Sequence, residues 1–381
     1  KRPGYAAPDL YATQVMATGT STTTNIVVAS GTFEANRLAG GWAWIVSGAG
    51  ASAHAVRRIA ANTASPGAVI TVDRAFATAP NGTSSVVLWM SGIAMDGGLV
   101  TATTIWLEGL LALRHHDPPE QPGSPYPPAT AIIAAYLPNE AATIVETVES
   151  FLAQDYPGEL QVVLAYNTPH DLPIEDELRA IAARDPRLVP FRVEHSTSKA
   201  QNVNAALATA AGEMVAVFDA DHQPAPGAFA RAWRWLSNGY DLVQGHCVVR
   251  NGDVSWVSRT VAVEFEAIYA VSHPGRARLH DFGIFGGTNG FWRAGVLREI
   301  RMRGTMLTED IDSSMRVVEE GGRIASDPRL ISRELGPATL KAVWNQRLRW
   351  AQGWFQVSMT HLWSGLRSPQ LSVRQKLGLF Y

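Results

Sequence analysis

Phe218-Asp219-Ala220-Asp221-His222 puts two carboxylates two residues apart, where an apolar run gives way to a loop. Carboxylates so spaced can both turn toward one hard cation. Oxygen ligands suit Mg²⁺ or Mn²⁺, which complete their shells with water and substrate phosphates. An isolated Asp-x-Asp also serves ordinary turn chemistry, and His222 reads as a neighbour rather than a ligand. A second acidic group, Glu309-Asp310-Ile311-Asp312, follows Thr308, a residue type that caps helices. Three carboxylates in a first turn complement the helix dipole. A carboxylate fixed there could instead accept a proton from a substrate hydroxyl. The third group, Gln346-Arg347-Leu348-Arg349-Trp350, offers a planar guanidinium fork for phosphate oxygens and an indole for stacking or packing. Phe285-Gly286-Gly287-Thr288-Asn289-Gly290 is too glycine-rich for a helix and lets a ligand approach the backbone.

The elements around these groups alternate from Ala129 onward. Residues 130–136 form a continuous apolar run, as in a strand buried on both faces of a parallel sheet. Asn139 can cap a helix in which Ala142, Val145, Val148 and Leu152 recur at three- and four-residue steps. Residues 160–166 and 188–193 read as further strands, and 199–210 as a helix. Residues 214–218 form a buried strand running into Asp219. A helix from Thr308 continues through Met315 and Val318 to Gly321-Gly322. Alternation of this kind predicts a doubly wound, mostly parallel α/β sheet, whose ligands bind at the carboxyl ends of strands. Asp219 falls at such an end.

Residues 1–98 have another texture, rich in Thr, Ser, Gly and Ala. Short β-type runs at 25–28, 42–46, 68–72 and 85–89 are punctuated by Ser65-Pro66-Gly67 and Pro80-Asn81-Gly82, which predicts a small all-β module. Residues 99–113 are apolar but interrupted by Glu108, so a short buried or interfacial helix is expected. The proline-dense stretch 117–128 reads as a linker. The organisation expected is therefore a β module over 1–98, a helix and linker over 99–128, a catalytic domain over 129–350 and an amphipathic interfacial helix over 351–381.

Composition sets outer limits. With 32 Lys+Arg against 34 Asp+Glu the formal net charge is −2, which makes no global case for a nucleic-acid partner. At 46% hydrophobic and 17% charged, the chain is too apolar for a disordered one. Cys247 is the single cysteine, which excludes a disulfide-stapled scaffold and fits a reducing compartment. No apolar stretch is long enough for a convincing membrane span. The chain starts at Lys1 and stops at Tyr381 in mid-pattern, and reads as a fragment.

Taken in order after a βαβ start, Asp-x-Asp, Gly-Gly-Thr-Asn-Gly, Thr-Glu-Asp and Gln-x-x-Arg-Trp resemble the family 2 glycosyltransferases. More specifically they are similar to the processive, membrane-embedded branch of cellulose and chitin synthase-like enzymes, over residues 129–381. The resemblance implies a GT-A type fold in which Asp219 and Asp221 hold the nucleotide-sugar diphosphate, Asp221 chiefly through Mg²⁺ or Mn²⁺. It makes Asp310 the base for the acceptor hydroxyl, with Glu309 beside it among the substrate-binding residues. Gln346, Arg349 and Trp350 would line the donor pyrophosphate and the growing glycan. Residues 135–140 match the family's first nucleotide-binding turn, with Tyr136 and Glu140 as nucleoside contacts. Residues 198–202 match its Lys-Ala-x-Asn element, which brings Lys199 and Asn202 near the nucleotide.

The implied reaction is a metal-dependent, inverting transfer from a nucleotide-sugar, a UDP-sugar first among the donors, to a glycan or lipid-linked acceptor. It would form a β-linkage at the bacterial inner membrane, with the catalytic domain on the cytoplasmic side and no nucleic acid involved. Asp310 would need no raised pKa, because a carboxylate at a helix N-terminus is already ionised. Two departures stand out. The strand end at Leu164-Ala165-Tyr166-Asn167 lacks the usual carboxylate partner of uracil, which weakens the case for UDP, although the Asn167 amide could pair with a base edge. The glycine-rich stretch also lacks the cysteine common in cellulose-type enzymes.

Trp354, Trp363, Arg367, Arg374 and Lys376 among apolar residues predict a helix in the membrane interface, with spanning helices following in relatives. Residues 40–73 loosely resemble a β-module of phage structural proteins. Two other functions remain open: a binding or adhesion protein with a catalytically silent α/β domain, and a sugar nucleotidyltransferase, which should not need Arg349-Trp350.

Overall fold

A computed structural model describes residues 13–379 apart from 30–32, 34, 36–37, 52–54, 65–66, 90–92 and 115–116, so the Ser65-Pro66 turn lies outside the described residues. The chain divides into two compact units, residues 1–104 and 105–381.

The first unit is an antiparallel sheet of six strands: β1 (Thr13–Met16), β2 (Asn25–Val27), β3 (Trp42–Ser47), β4 (Val56–Asn62), β5 (Val69–Val72) and β6 (Ser85–Trp89). Their order is β1-β6-β3-β4-β5-β2, and a bridge from Ala17 to Val28 joins the two edges. Alternate residues point inward, so that Ala43, Ile45, Ile59, Ile70 and Val86 share one core. The strand runs at 42–46 and 85–89 appear close to their expected bounds. Strand β4 is missed because Arg57-Arg58 breaks the apolar pattern; Arg57 lies over the Phe76 ring instead.

Helix α1 (Ile93–Ala112) covers the predicted 99–113 helix except its last residue and begins earlier. Glu108 does not interrupt it. Its side chain is buried and accepts a hydrogen bond from Ser272 Oγ at 3.1 Å, and burial holds its pKa above the usual carboxylate range. Trp106 and Leu110 face outward.

The second unit holds a sheet of eight strands: β7 (Ala129–Tyr136), β8 (Leu160–Asn167), β9 (Leu188–Arg192), β10 (Met214–Asp219), β11 (Gln223–Pro224), β12 (Leu242–Val249), β13 (Gly290–Arg293) and β14 (Ile324–Glu334). Their order is β11-β14-β12-β13-β10-β7-β8-β9. Strands β10, β7, β8 and β9 pair in parallel, while β13 runs antiparallel between β10 and β12. β7 is buried on both faces until Tyr136: Ala131 and Ile133 join the layer with Phe151, Phe218 and Phe229, while Ile132 and Ala134 join the layer with Phe285 and Trp292.

Helices α2 (Leu137–Glu140), α3 (Ile144–Leu152), α4 (Ile174–Arg184), α5 (Lys199–Ala206) and α6 (Ala228–Leu236) come with the parallel half. Asn139 does not cap α3. It lies inside α2, and Thr143 holds the cap position, because the turn after β7 coils at once through Leu137-Pro138. Helix α5 ends at Ala206, four residues short of expectation.

Next come α7 (Trp256–Glu266), a π-helical turn over Ala267–Ser272, α8 (His273–His280), α9 (Ala294–Ile300) and α10 (Glu309–Glu319). Thr308 stands at the N-cap of α10 but its hydroxyl makes no capping bond; it is buried and unpartnered. Helix α11 (Leu340–Arg367) runs unbroken through residue 350, and α12 (Val373–Leu379) follows. Gln346 to Trp350 and the first half of the expected interfacial segment are thus one element.

Helices α10 and α11 are tied by an ionic cluster. His361 Nε2 lies 2.9 Å from Asp312 Oδ1 and Nδ1 lies 3.1 Å from Glu319 Oε2, while Arg316 also pairs with Asp312 at 2.9 Å. Burial opposes the imidazolium, but its bonds to Asp312 and Glu319 outweigh that and raise its pKa to about 9. A raised histidine pKa gives stability present in full below its unfolded value and lost as pH rises through the folded one. Wild type should therefore lose several degrees of Tm between about pH 7 and 10 relative to His361→Gln. Parallel Tm-versus-pH curves for the two proteins would refute the tie.

Candidate active site

Parallel register places Asp219 of β10 opposite Ala134 of β7, so the two strands end together. A cleft of about 1140 Å³ opens there, bordered by Tyr136, Glu140, Asn167, Lys199, Asn202, Asp219, Asp221, Gln346 and Arg349. A second cavity of about 150 Å³ shares Lys199, Asp219, Gln346 and Arg349 with the cleft and adds Glu309, Asp310 and Trp350. Every residue expected to act in catalysis, substrate binding or metal binding thus borders one hollow or the other.

Lys199 and the glycine-rich stretch connect the two acidic groups. Lys199 Nζ pairs with Asp219 Oδ1 and donates to the Gly287 carbonyl at 2.8 Å. Gly287 has φ +94°, and a Cβ there would lie 2.8 Å from Asp310 Oδ2. Only glycine combines that backbone with that approach. Thr288 Oγ1 accepts from the Asp219 amide at 3.1 Å. Residues 219, 199, 287 and 310 are therefore a chain of direct neighbours, although 91 positions separate the two aspartates in the sequence (310 − 219 = 91).

Asp310 Oδ1 accepts from the Ile311 amide at 2.9 Å, at the start of α10. Its carboxyl is nevertheless pushed up to about 7, by burial first and then by Glu309. This corrects the expectation of an ordinary pKa: the helix N-terminus and Lys199 favour the anion, but desolvation wins. A pKa near neutrality suits a general base.

Glu140 is likewise raised to about 7, by burial and then by Asp221 and Asp219. Asp221 and Asp219 thus add negative charge beside Glu140, charge that a hard dication would offset. Asp221, with no cationic partner among the described residues, is the better placed ligand, whereas Asp219 is paired with Lys199. Asp221 is aimed by the Leu335 amide, which donates to Oδ2 at 3.0 Å.

The side of the cleft formed by Asn167 and Asn202, expected from the sequence to contact a nucleoside, is internally satisfied. Asn202 Nδ2 donates to Asn167 Oδ1 at 2.9 Å and to the Ala135 carbonyl, while Asn167 Nδ2 donates to the Ser196 carbonyl at 3.0 Å. The Asn167 amide thus braces the loop at Ser196. Tyr136 stands exposed at the cleft.

On α11, Arg347 pairs with Glu264 and lies 4.0 Å over the Trp350 ring, and Trp350 packs toward Phe265. Arg349 borders both hollows, the smaller one together with Phe265 and Trp350. Sequence reasoning misses Glu334, Tyr269 and Thr308, which also border the smaller cavity. Glu334 ends β14, and the Gly336-Pro337 punctuation just beyond it is the signal that could have pointed there.

Comparison with known proteins agrees with this geometry. The profile of the family described as "Glycosyltransferase like family 2" matches residues 127–353. Poly-beta-1,6-N-acetyl-D-glucosamine synthase of Staphylococcus epidermidis is 25% identical over 246 residues, 64% of this chain and 58% of that protein. Beta-monoglucosyldiacylglycerol synthase of Synechocystis is 27% identical over 263 residues, 67% of this chain and 53% of that protein. The chain thus spans little more than half the length of these relatives. A mannosyltransferase from Pyrobaculum calidifontis, solved with GDP-Man and Mn²⁺, superposes with a TM-score of 0.56 at 23% identity, covering 74% of this chain and 78% of that one. It shares the GT-A type fold.

Proposed function

The chain belongs to glycosyltransferase-like family 2, and we propose that it moves a sugar from a nucleotide-sugar to a hydroxyl of a glycan or lipid-linked acceptor, in one inverting, cation-dependent displacement. The observation that carries this reading is that Asp219 and Asp310 border the same cavity, bridged by Lys199 and Gly287. A diphosphate cradle and a proton acceptor are then as close together as sugar transfer requires.

Asp310 takes the proton of the acceptor hydroxyl while its oxygen attacks the anomeric carbon, and the bond to the nucleoside diphosphate breaks. Arg349 and Lys199 face the departing phosphates. Asp219 and Asp221 would hold Mg²⁺ or Mn²⁺, which when bound offsets charge on the leaving group. One displacement turns an α-linked donor into a β-linked product. Tyr136 and Glu140 border the nucleoside end of the cleft. With Asn167 engaged internally, the uracil contact expected of a UDP donor has no carboxylate at this strand end.

The same reading seats the chain on the cytoplasmic face of a bacterial inner membrane. Helix α11 buries Gly353, Val357, His361 and Gly365 and exposes Leu340, Trp344, Phe355, Met359 and Trp363. An outward apolar face with tryptophan suits the interfacial zone of a bilayer. Among the described residues no helix is long and apolar enough to cross a membrane.

Donor turnover with Mn²⁺ tests the proposal. Asp221→Asn should cut it by two orders of magnitude or more, leaving residual activity insensitive to Mn²⁺. Equal rates in the two proteins would sink the reading, and formation of nucleotide-sugar and pyrophosphate from nucleoside triphosphate and a sugar 1-phosphate would favour a nucleotidyltransferase.

A further inference from the structure

Three side chains to which the transfer step gives no role meet beside the aspartate loop, Glu334 bordering both hollows and the other two fully buried. His222 follows β10, Cys247 lies on β12 and Glu334 ends β14. One nitrogen, the sulfur and one carboxylate oxygen lie within 4.8 Å of one another. His222 and Cys247 are fully buried, and the Glu334 side chain is 14% exposed.

His222 and Glu334 form an ion pair, Nε2 3.3 Å from Oε2, too loose for a well-formed hydrogen bond, and the second carboxylate oxygen, Glu334 Oε1, has no partner. Buried polar atoms are almost always paired, so a loose pair with an idle oxygen beside a buried thiol calls for an account.

The surroundings are those of a ligand set. His222 Nδ1 lies 2.9 Å from Ser332 Oγ, and the tautomer that donates to Ser332 turns the Nε2 lone pair toward Cys247 and Glu334. The Tyr269 hydroxyl hydrogen-bonds with the Cys247 sulfur. Thiolate with imidazole selects a borderline-soft metal over Mg²⁺ or Mn²⁺, and ligand distances of about 2.0 to 2.3 Å require only a modest inward movement of the three groups.

We propose that His222, Cys247 and Glu334 form a second metal site, suited to Zn²⁺, separate in its chemistry from the Asp219–Asp221 pair. Its place gives it a consequence. Leu335, next to Glu334, donates to Asp221 Oδ2. A metal holding Glu334 would therefore fix the strand end that aims Asp221.

The test uses the full chain, stripped of metal and titrated with Co²⁺ while excess Mg²⁺ occupies the aspartate pair. One equivalent of Co²⁺ should produce a thiolate-to-cobalt charge-transfer band in the near ultraviolet, abolished by added Zn²⁺. The band should vanish in Cys247→Ser and in His222→Gln and persist in Asp221→Asn. Zn²⁺ should also raise the Tm of wild type but of neither cluster variant. His222→Gln decides the matter if Cys247→Ser folds poorly. No band in wild type, or a band surviving in Cys247→Ser, would overturn the site and leave a buried histidine–glutamate ion pair. Because the readout is optical, failure here is distinguishable from failure of the transferase reading.

Discussion

Asp310→Asn is expected to lower kcat for transfer by about 10²–10⁴-fold, the usual worth of a positioned general base, while making the protein harder to unfold at alkaline pH. The two effects share one cause. Burial and Glu309 hold the Asp310 carboxyl at about 7, above its unfolded value. Such a group favours the native state in full at low pH, and that contribution is lost as pH rises through about 7. The amide never ionises, so the variant's advantage in Tm should grow from about pH 4 to about pH 7 and then level off. In the wild type, kcat/KM should rise with pH through about 7 and then level, because only the anion accepts a proton. Glu140 also titrates near 7, so Glu140→Gln separates the two: it should leave the acid limb in place. A variant Asp310→Asn that turns over at the wild-type rate would remove the base from the mechanism.

Gly287→Ala should impair turnover although the residue contributes no side chain. Its φ of +94° strains any L-residue, and the added Cβ would lie 2.8 Å from Asp310 Oδ2. Strain of this sort costs about 1–3 kcal/mol, and a displacement of the base by about 1 Å can cost on the order of 10²-fold in rate. Gly295→Ala is the control, since nothing lies within 4 Å of a Cβ there. Urea titration and initial rates on both variants give the comparison. Wild-type kcat in Gly287→Ala would show that the close approach to Asp310 does not position it.

What the sequence reveals follows from which properties are local. Asp219, Asp221, Asp310, Gln346 and Arg349 are legible because each sits in a short motif whose residue types announce a chemistry, and all border the paired hollows. The parallel strands β7, β8 and β10 are legible because burial on both faces writes an unbroken apolar run. Strand β14 is not, since its burial comes from pairing with β12 and its composition, Ile-Ala-Ser-Asp-Pro-Arg, carries no strand signature. Glu334, His361 and Tyr269 escape notice for a related reason: their roles depend on neighbours far away in the sequence. The Asp310 pKa fails similarly, because a helix terminus can be read from residue order whereas desolvation cannot.

Helix α11 carries Arg349 near one end and the outward-facing Trp363 near the other, on a single hydrogen-bonded rod. Its 28 residues make it about 42 Å long at the usual rise per residue. Gly353, whose Cβ would meet Thr308 at 2.3 Å, presses that rod against the start of the helix bearing Asp310. With His361 bound to Asp312 and Glu319 about two turns further on, the two helices are joined at both places, so a change that shifts the helix carrying Arg349 also shifts the start of the one carrying Asp310.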